Sequence, residues 1–302
     1  MRLLVIANLA SGLGEGVMYD FMRAFAEDGD EIIIRYSDGQ TDLRTFLADA
    51  DKFDAVVASG GDGTLSMVAY LLADTGIPIV PLPAGTANLL TLNLCSPSEP
   101  HAVAQMLREG RIMDFDLGEV TLQDGERSGF MMMAGAGYDA SIMKDAEGGK
   151  KLWGQMAYFT SAVTNATPQV ARFALTLDGE DVSCEGVGVL IVNFAKIQFD
   201  VPVIHENKPR DGMFDVVVLR TMDAFGLIPA LITAILDKSG DVPTRTDAFS
   251  VFQAQSVSVA ADPALPMQFD GEATDHLTPF SARVLPRAAR FVVSEECVRT
   301  YS

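Results

Sequence analysis

Asp62 sits among glycines, in Gly60-Gly61-Asp62-Gly63-Thr64, and that combination points to phosphate chemistry. A short apolar run ends at Ala58, and apolar side chains at 65, 68, 71 and 72 follow with helical spacing. Strand, glycine turn and helix in that order put bare backbone N–H groups at a helix N-terminus, which suits an anion. The glycines are expected to supply positive φ and a close approach of ligand to backbone. No lysine follows them, so this is not a Walker A loop. A carboxylate beside phosphate repels it unless a cation or proton intervenes. Asp62 is therefore expected to organise a metal–water network or an acceptor hydroxyl; the plainer alternative is an aspartate that caps the next helix.

Two other acidic clusters could do chemistry. Asp270 and Glu272 are separated by one residue, which in extended chain puts both on one face. A positioned carboxylate there could accept a proton from a hydroxyl nucleophile; a solvated hairpin turn is the alternative. Asp211, before the apolar run Phe214–Leu219, could offer hard oxygen to Mg²⁺ or simply close a turn.

The elements that position these residues follow from periodicity. Strands are expected at Leu3–Ala7, Ile32–Ile34, Ala55–Ala58 and Ile77–Val80. Helices are expected around Val17–Phe25, Leu43–Leu47, Leu65–Leu72 and Val103–Leu107. This alternation means a doubly wound, mostly parallel sheet, with ligands past the carboxyl ends of its strands. Turns starting at Asn8, Gly60 and Pro83 fall at those ends. After about Asp114 the pattern changes to short strands, including 173–177, 187–194, 214–219, 249–252, 257–261 and 281–285. A β-sandwich is expected there, interrupted by helices over 151–165 and 224–236. The domains are read as 1–118 and 119–302, and a last strand near 288–295 could return to the first domain.

The formal charge of −19 over 302 residues argues against a nucleic-acid footprint, which needs a basic face. Three scattered cysteines suggest neither disulfides nor zinc. The three histidines carry no triad-like context. Met131-Met132-Met133 is expected in a core. The run 75–98 is broken by prolines, so no transmembrane segment is expected, and Met1–Asn8 reads as a strand, not a signal peptide. A reducing cytoplasm is the default. Lys150, Lys151, Trp153, Tyr158 and Phe159 could form a small membrane-contacting patch. Apolar β-edges in the second domain could pair in a homodimer.

Gly60-Gly61-Asp62-Gly63-Thr64, taken with Pro83-Ala84-Gly85-Thr86-Ala87-Asn88, resembles the diacylglycerol kinase catalytic-domain family, which includes sphingosine and ceramide kinases and soluble bacterial lipid kinases. Asn8-Leu9-Ala10-Ser11-Gly12, Asp116-Leu117-Gly118, Gly135-Ala136-Gly137-Tyr138-Asp139-Ala140, Asp211-Gly212-Met213-Phe214-Asp215-Val216 and Asp270-Gly271-Glu272 resemble its further motifs in the family's order, across the whole chain. The resemblance implies a Rossmann-like α/β nucleotide-binding domain with a C-terminal β-sandwich domain, and an active site in the cleft between them. It implies ATP-dependent transfer to a lipid hydroxyl, presented at the inner face of a membrane to a peripherally associated, cytoplasmic enzyme. Asn8, Ser11, Gly12, Gly60, Gly61, Asp62, Gly63, Thr64, Leu65, Ser66, Met67, Gly85, Thr86 and Asn88 would bind ATP. Asp270 or Glu272 would be the base. Asp211 and the carbonyls of Lys208 and Met213 would hold a structural Mg²⁺, and Asp62 and Asp116 would belong to a second, catalytic network. On this reading Asp62→Ala and Asp270→Ala abolish transfer and leave the fold intact.

The sequence departs from the family at Leu9, where proline is usual, at Ser66-Met67, where Asn-Glu is usual, and at Leu89, where many bacterial members carry aspartate. Diacylglycerol is the favoured acceptor. Ceramide or a sphingoid base is the rival, followed by an NAD kinase-like enzyme and a non-catalytic nucleotide- or lipid-binding regulator.

Overall fold

The computed structural model describes residues 1–12, 16–38, 41–137, 169–197, 201–202, 207–220 and 249–302. The expected helices over 151–165 and 224–236, the aromatic and basic patch over 148–159, residues 138–140 and His205 lie outside them. The chain divides into two compact units, Met1–Leu117 with Leu285–Ser302, and Gly118–Val284.

The first unit is an α/β layer structure. Its elements begin β1 (Arg2–Asn8), α1 (Gly16–Phe25), β2 (Glu31–Ser37), α2 (Leu43–Leu47), β3 (Ala55–Gly60), α3 (Asp62–Leu71), β4 (Ile79–Pro83), α4 (Leu89–Asn93) and α5 (Pro100–Glu109). The sheet order β2-β1-β3-β4 is parallel throughout. β1 and β3 are almost wholly buried, which is why they read as unbroken apolar runs. One face of the sheet (Leu3, Val5, Ala55, Val57, Val80, Leu82) packs on Phe21 and Phe25 of α1 and on Val103 and Leu107 of α5. Each buried phenylalanine contributes about 1.5–3 kcal/mol. α3 lies against β3 and β4. Pro100 starts α5 and Gly110, at φ +68°, ends it, the usual asymmetry of helix ends.

The second unit is an antiparallel β-sandwich. Its strands are β5 (Ile112–Thr121, whose first half belongs to the first unit), β6 (Arg127–Phe130), β7 (Met133–Gly137), β8 (Ala171–Leu177), β9 (Glu180–Gly186), β10 (Gly188–Val192), the short pair β11 (Lys196–Ile197) and β12 (Val201–Pro202), β13 (Phe214–Leu219), β14 (Phe249–Ala254), β15 (Ser256–Asp262), β16 (Pro266–Phe269), β17 (Glu272–Leu277) and β18 (Phe280–Val292). One sheet runs β14-β13-β10-β7-β16-β17; in the other, β9, β8, β15 and β18 pair in turn. Phe130, Phe173, Phe214, Met267 and Phe280 fill the core between them. Met131 to Met133 are buried.

β18 continues past Val284 into the first unit, where Phe291 pairs in parallel with Ile79 of β4. The sequence suggested two separate strands here. In the structure they are one continuous strand, within which Arg287 takes φ +52°. A final helix, α6 (Glu295–Tyr301), was not legible from periodicity; Ser294 caps it by accepting the Cys297 N–H at 3.1 Å.

Candidate active site

Three turns leave the carboxyl ends of neighbouring parallel strands: 8–12 after β1, 60–64 after β3 and 83–88 after β4. β2 lies on one side of β1 and β3 on the other, so the strand order reverses between β1 and β3. Ligands in open α/β sheets collect at such a point. Here it is bridged by one hydrogen bond, Asn8 Nδ2 to Thr64 Oγ1 at 2.9 Å. The other oxygen-bearing groups of Asn8 shape its own turn: Oδ1 accepts the Ala10 N–H, and the carbonyl accepts the Ser11 hydroxyl. In the third turn, Asn88 folds back on Gly85. Its Oδ1 accepts the Gly85 N–H at 3.0 Å and its Nδ2 donates to the Gly85 carbonyl at 2.8 Å. Asn88 itself adopts the left-handed conformation, φ +51°.

The glycine block works differently from the sequence expectation. Gly61 is extended (φ −88°, ψ −173°), and Gly60 and Gly63 are not among the glycines with positive φ. Gly60 and, in the third turn, Gly85 are needed for space. A Cβ on Gly60 would lie 2.6 Å from the Cβ of Thr64, and a Cβ on Gly85 would lie 2.5 Å from the Cα of Gly61. The second and third turns touch backbone to backbone. On Gly12, a Cβ would meet Thr86 Oγ1 at 3.0 Å, so the first turn joins the same group. Thr86 is exposed. Leu65 and Ser66 turn the other way: both are buried, and the Ser66 hydroxyl has no hydrogen-bond partner. Met67 is half-buried on the same helix.

Asp62 caps a helix, but not its own. Its Oδ1 accepts the N–H of Leu90 at 2.7 Å, at the start of α4, and the N–H groups of Leu89 and Asn88 also point to it. Burial pushes its carboxyl above the usual range of 3.8, and these N–H groups pull it back only in part. A raised native pKa contributes stability that is complete below the unfolded value and is lost as pH rises through the native one. Asp62→Asn keeps an acceptor for Leu90 and removes that loss. The melting temperature of the variant relative to wild type is therefore expected to rise as pH increases above about 4. Thermal unfolding across that range checks it; a difference independent of pH would contradict it.

The acids expected to hold Mg²⁺ are engaged elsewhere. Asp116 is fully buried, and its Oδ1 accepts the Arg287 N–H at 2.7 Å. Leu89 stands where a third acid was expected, and its N–H serves Asp62. Among the described residues no three His, Cys, Asp or Glu side chains come together as a metal site. In the 208–213 turn, the Lys208 carbonyl accepts the N–H groups of Arg210 and Asp211, and Asp211 Oδ1 accepts the Met213 N–H at 3.0 Å. Asp215, in the same motif, is held by Asn207 and Gln253, each at 3.0 Å.

Asp270 and Glu272 do not lie in extended chain. Asp270 (φ +49°) and Gly271 (φ +81°) form a two-residue turn between β16 and β17, with Phe269 paired to Glu272. The same-face argument therefore fails. Asp270 is 9 % exposed, and its carboxylate accepts the N–H groups of Met131, Met132 and Met133 at 2.8, 2.7 and 3.1 Å. It is an anchor for the entry to β7. The sequence carried one signal of this role, the apolar methionine run whose backbone needs partners once buried.

Comparison with known proteins agrees with this architecture. Residues 2–120 match the diacylglycerol kinase catalytic domain, and residues 132–293 match the YegS C-terminal NAD kinase beta sandwich-like domain. The chain is 26 % identical over 253 residues to a Stenotrophomonas maltophilia protein named "Probable lipid kinase YegS-like", covering 80 % of each. It is 27 % identical to a diacylglycerol kinase of Mycobacterium tuberculosis over 60 % of each chain. It is also 27 % identical to an uncharacterized Synechocystis protein, covering 80 % of this chain and 55 % of that one. A solved structure of a diacylglycerol kinase from Bacillus anthracis superposes with a TM-score of 0.76 at 21 % identity, covering 98 % of each chain. No helix among the described residues is long and apolar enough to cross a membrane. With both matched segments in order along one chain, and the second alone covering more than half of it, this protein belongs to the diacylglycerol kinase catalytic-domain family of lipid kinases.

Proposed function

We propose that this chain transfers the γ-phosphate of ATP to the hydroxyl of a lipid, with diacylglycerol as the favoured acceptor. The observation that carries the reading is the group of three turns at the strand ends, joined by the Asn8–Thr64 bond and the close approach of Gly61 and Gly85. Backbone N–H groups at 61–64, with the Asn8, Ser11, Gly12, Thr86 and Asn88 turns around them, would cradle the phosphates. Mg²⁺ would enter as part of the MgATP substrate, where it would neutralise phosphate charge. Phosphoryl transfer then needs mainly positioning and a group to accept the hydroxyl proton. Glu272 is the better candidate for that proton, because the Asp270 oxygens are occupied by three backbone N–H groups. The two-residue turn that Asp270 anchors fixes where Glu272 begins its strand.

The acceptor's acyl chains imply work at a membrane surface from the cytoplasmic side. With a formal charge of −19, that contact would rest on local features, not on long-range attraction to anionic lipid. Among the described residues β14 is an edge strand carrying exposed Val251, and a two-fold pairing would form there or at β17. A second reading, phosphorylation of NAD, is favoured by one observation: the match of residues 132–293 to an NAD kinase-like β-sandwich.

Purified protein incubated with MgATP and, separately, diacylglycerol in mixed micelles, ceramide, a sphingoid base and NAD separates these readings. Transfer to diacylglycerol is the expected result. Transfer to ceramide or a sphingoid base would move the acceptor class, and transfer to NAD alone would refute lipid phosphorylation. ATP binding with no transfer would favour a regulator.

A further inference from the structure

We infer that the last helix, α6, is part of the nucleotide-binding machinery, and that Tyr301 is a positioning residue that sets nucleotide affinity through α4. The inference rests on the nucleotide site proposed above. It concerns residues beyond both matched family segments, which end at 120 and 293.

α4 has five residues, far below the length at which a helix holds itself together. Its position is therefore set by what grips its ends. At its N-terminal end, Asp62 takes the Leu90 N–H, and Asn88 closes the 83–88 turn onto Gly85. At its C-terminal end, the last carbonyls of a helix lack partners within it. Here α6 and its cap answer two carbonyls at the end of α4. The Tyr301 hydroxyl donates to the Asn93 carbonyl at 2.8 Å, and the Ser294 hydroxyl donates to the Cys95 carbonyl at 2.8 Å. Cys95 is in the left-handed conformation (φ +47°), just past the end of the helix. Asn93 is fully buried and links the two ends, because its Nδ2 donates to the Leu89 carbonyl at 2.8 Å. The chain of bonds runs Tyr301 to Asn93, Asn93 to Leu89, and from the adjoining Leu90 to Asp62 in the glycine block. The ring of Tyr301 is fixed independently, edge-on to the buried Phe115 at 5.5 Å.

This arrangement separates the hydroxyl from the ring. Tyr301→Phe keeps the contact with Phe115 and removes the bond to Asn93. With that bond gone, α4 is free to drift, and the 83–88 turn and the partner of Asp62 drift with it. One hydrogen bond contributes about 0.5–1.5 kcal/mol, so the dissociation constant for MgATP is expected to rise roughly threefold to tenfold. The Michaelis constant for ATP should rise by the same factor, with that for the lipid acceptor unchanged. Ser294→Ala removes the other grip and should move ATP affinity in the same direction. Arg299→Ala, on the exposed side of α6, should leave it unchanged.

The test is titration of the full chain and these three variants with a fluorescent ATP analogue and with MgATP as competitor, alongside thermal unfolding. Weaker binding in Tyr301→Phe and Ser294→Ala at near wild-type melting temperature supports the inference. Wild-type affinity in both, whatever the melting temperature, overturns it and leaves α6 a purely structural element. If wild-type protein binds no nucleotide, the proposed site itself is wrong and the inference falls with it.

Discussion

Glu272→Gln is expected to remove phosphoryl transfer and leave the fold standing, whereas Asp270→Ala is expected to lose the fold's local order along with activity. The two carboxylates are two residues apart, and the hydrogen bonds of Asp270 commit it to structural work. Asp270 satisfies three consecutive backbone N–H groups, and its own N–H donates to the Met133 carbonyl at 2.8 Å. Removing the carboxylate orphans those N–H groups in a buried place, next to Met131 and Met132, which are 0 % and 2 % exposed. Each orphan costs about 1–3 kcal/mol, and partial relaxation leaves a total of about 3–5 kcal/mol. Urea denaturation reads this as a lower midpoint. The expectation from sequence, that Asp270→Ala would spare the fold, thus gives way to a structural cost. Glu272 opens β17 at the far side of the turn. Glutamine there keeps size and polarity and removes the proton acceptor, and losing a general base lowers the rate by roughly 10²–10⁴-fold. A Glu272→Gln enzyme with near wild-type turnover would return the base role to Asp270 or move it elsewhere.

What the sequence made legible, and what it did not, divides by the range of the interaction responsible. The run Leu3–Ala7 and the stretch Phe214–Leu219 are buried on both faces, so composition alone marks them. Asp178-Gly179 announces its hairpin because both residues tolerate positive φ, and both adopt it. β5 escaped notice because Asp114, Asp116 and Glu119 break its apolar pattern. Their partners are Arg290, the N–H of Arg287 and Arg283, each more than 160 residues later. Local pattern holds no information about such pairs. The site shows the same division. The three turns were visible as Asn8–Gly12, Gly60–Thr64 and Pro83–Asn88. That Asp62 would cap α4, and that Asn93 and Tyr301 would brace it, depends on long-range hydrogen bonds. A buried asparagine among leucines was the one available hint.

The reason for the glycines also changed, and with it the second large effect. Gly85→Ala is expected to abolish nucleotide binding while Gly16→Ala leaves it intact. An added Cβ at Gly85 meets the Gly61 Cα at 2.5 Å, the Asn88 Oδ1 at 3.0 Å and the Gly61 nitrogen at 3.3 Å. Two of these are backbone atoms on the opposing turn, so no rotamer change relieves the overlap. The turns after β3 and β4 must separate, and Asn88, which is hydrogen-bonded to both the N–H and the carbonyl of Gly85, must move with them. Overpacking of this kind costs about 1–3 kcal/mol in stability. The same separation pulls apart the groups that would converge on the phosphates, and affinity for ATP is expected to fall at least roughly tenfold. Gly12→Ala should be milder, because its obstacle is the Thr86 hydroxyl, the end of an exposed side chain that can rotate away. Gly16 has nothing within 4 Å of an added Cβ and begins a helix, where alanine is favoured over glycine by roughly 0.5–1 kcal/mol. Calorimetric ATP titration of the three variants should therefore rank Gly85→Ala weakest, Gly12→Ala intermediate and Gly16→Ala equal to wild type. Wild-type affinity in Gly85→Ala would mean that the contact between the second and third turns does not shape the nucleotide site.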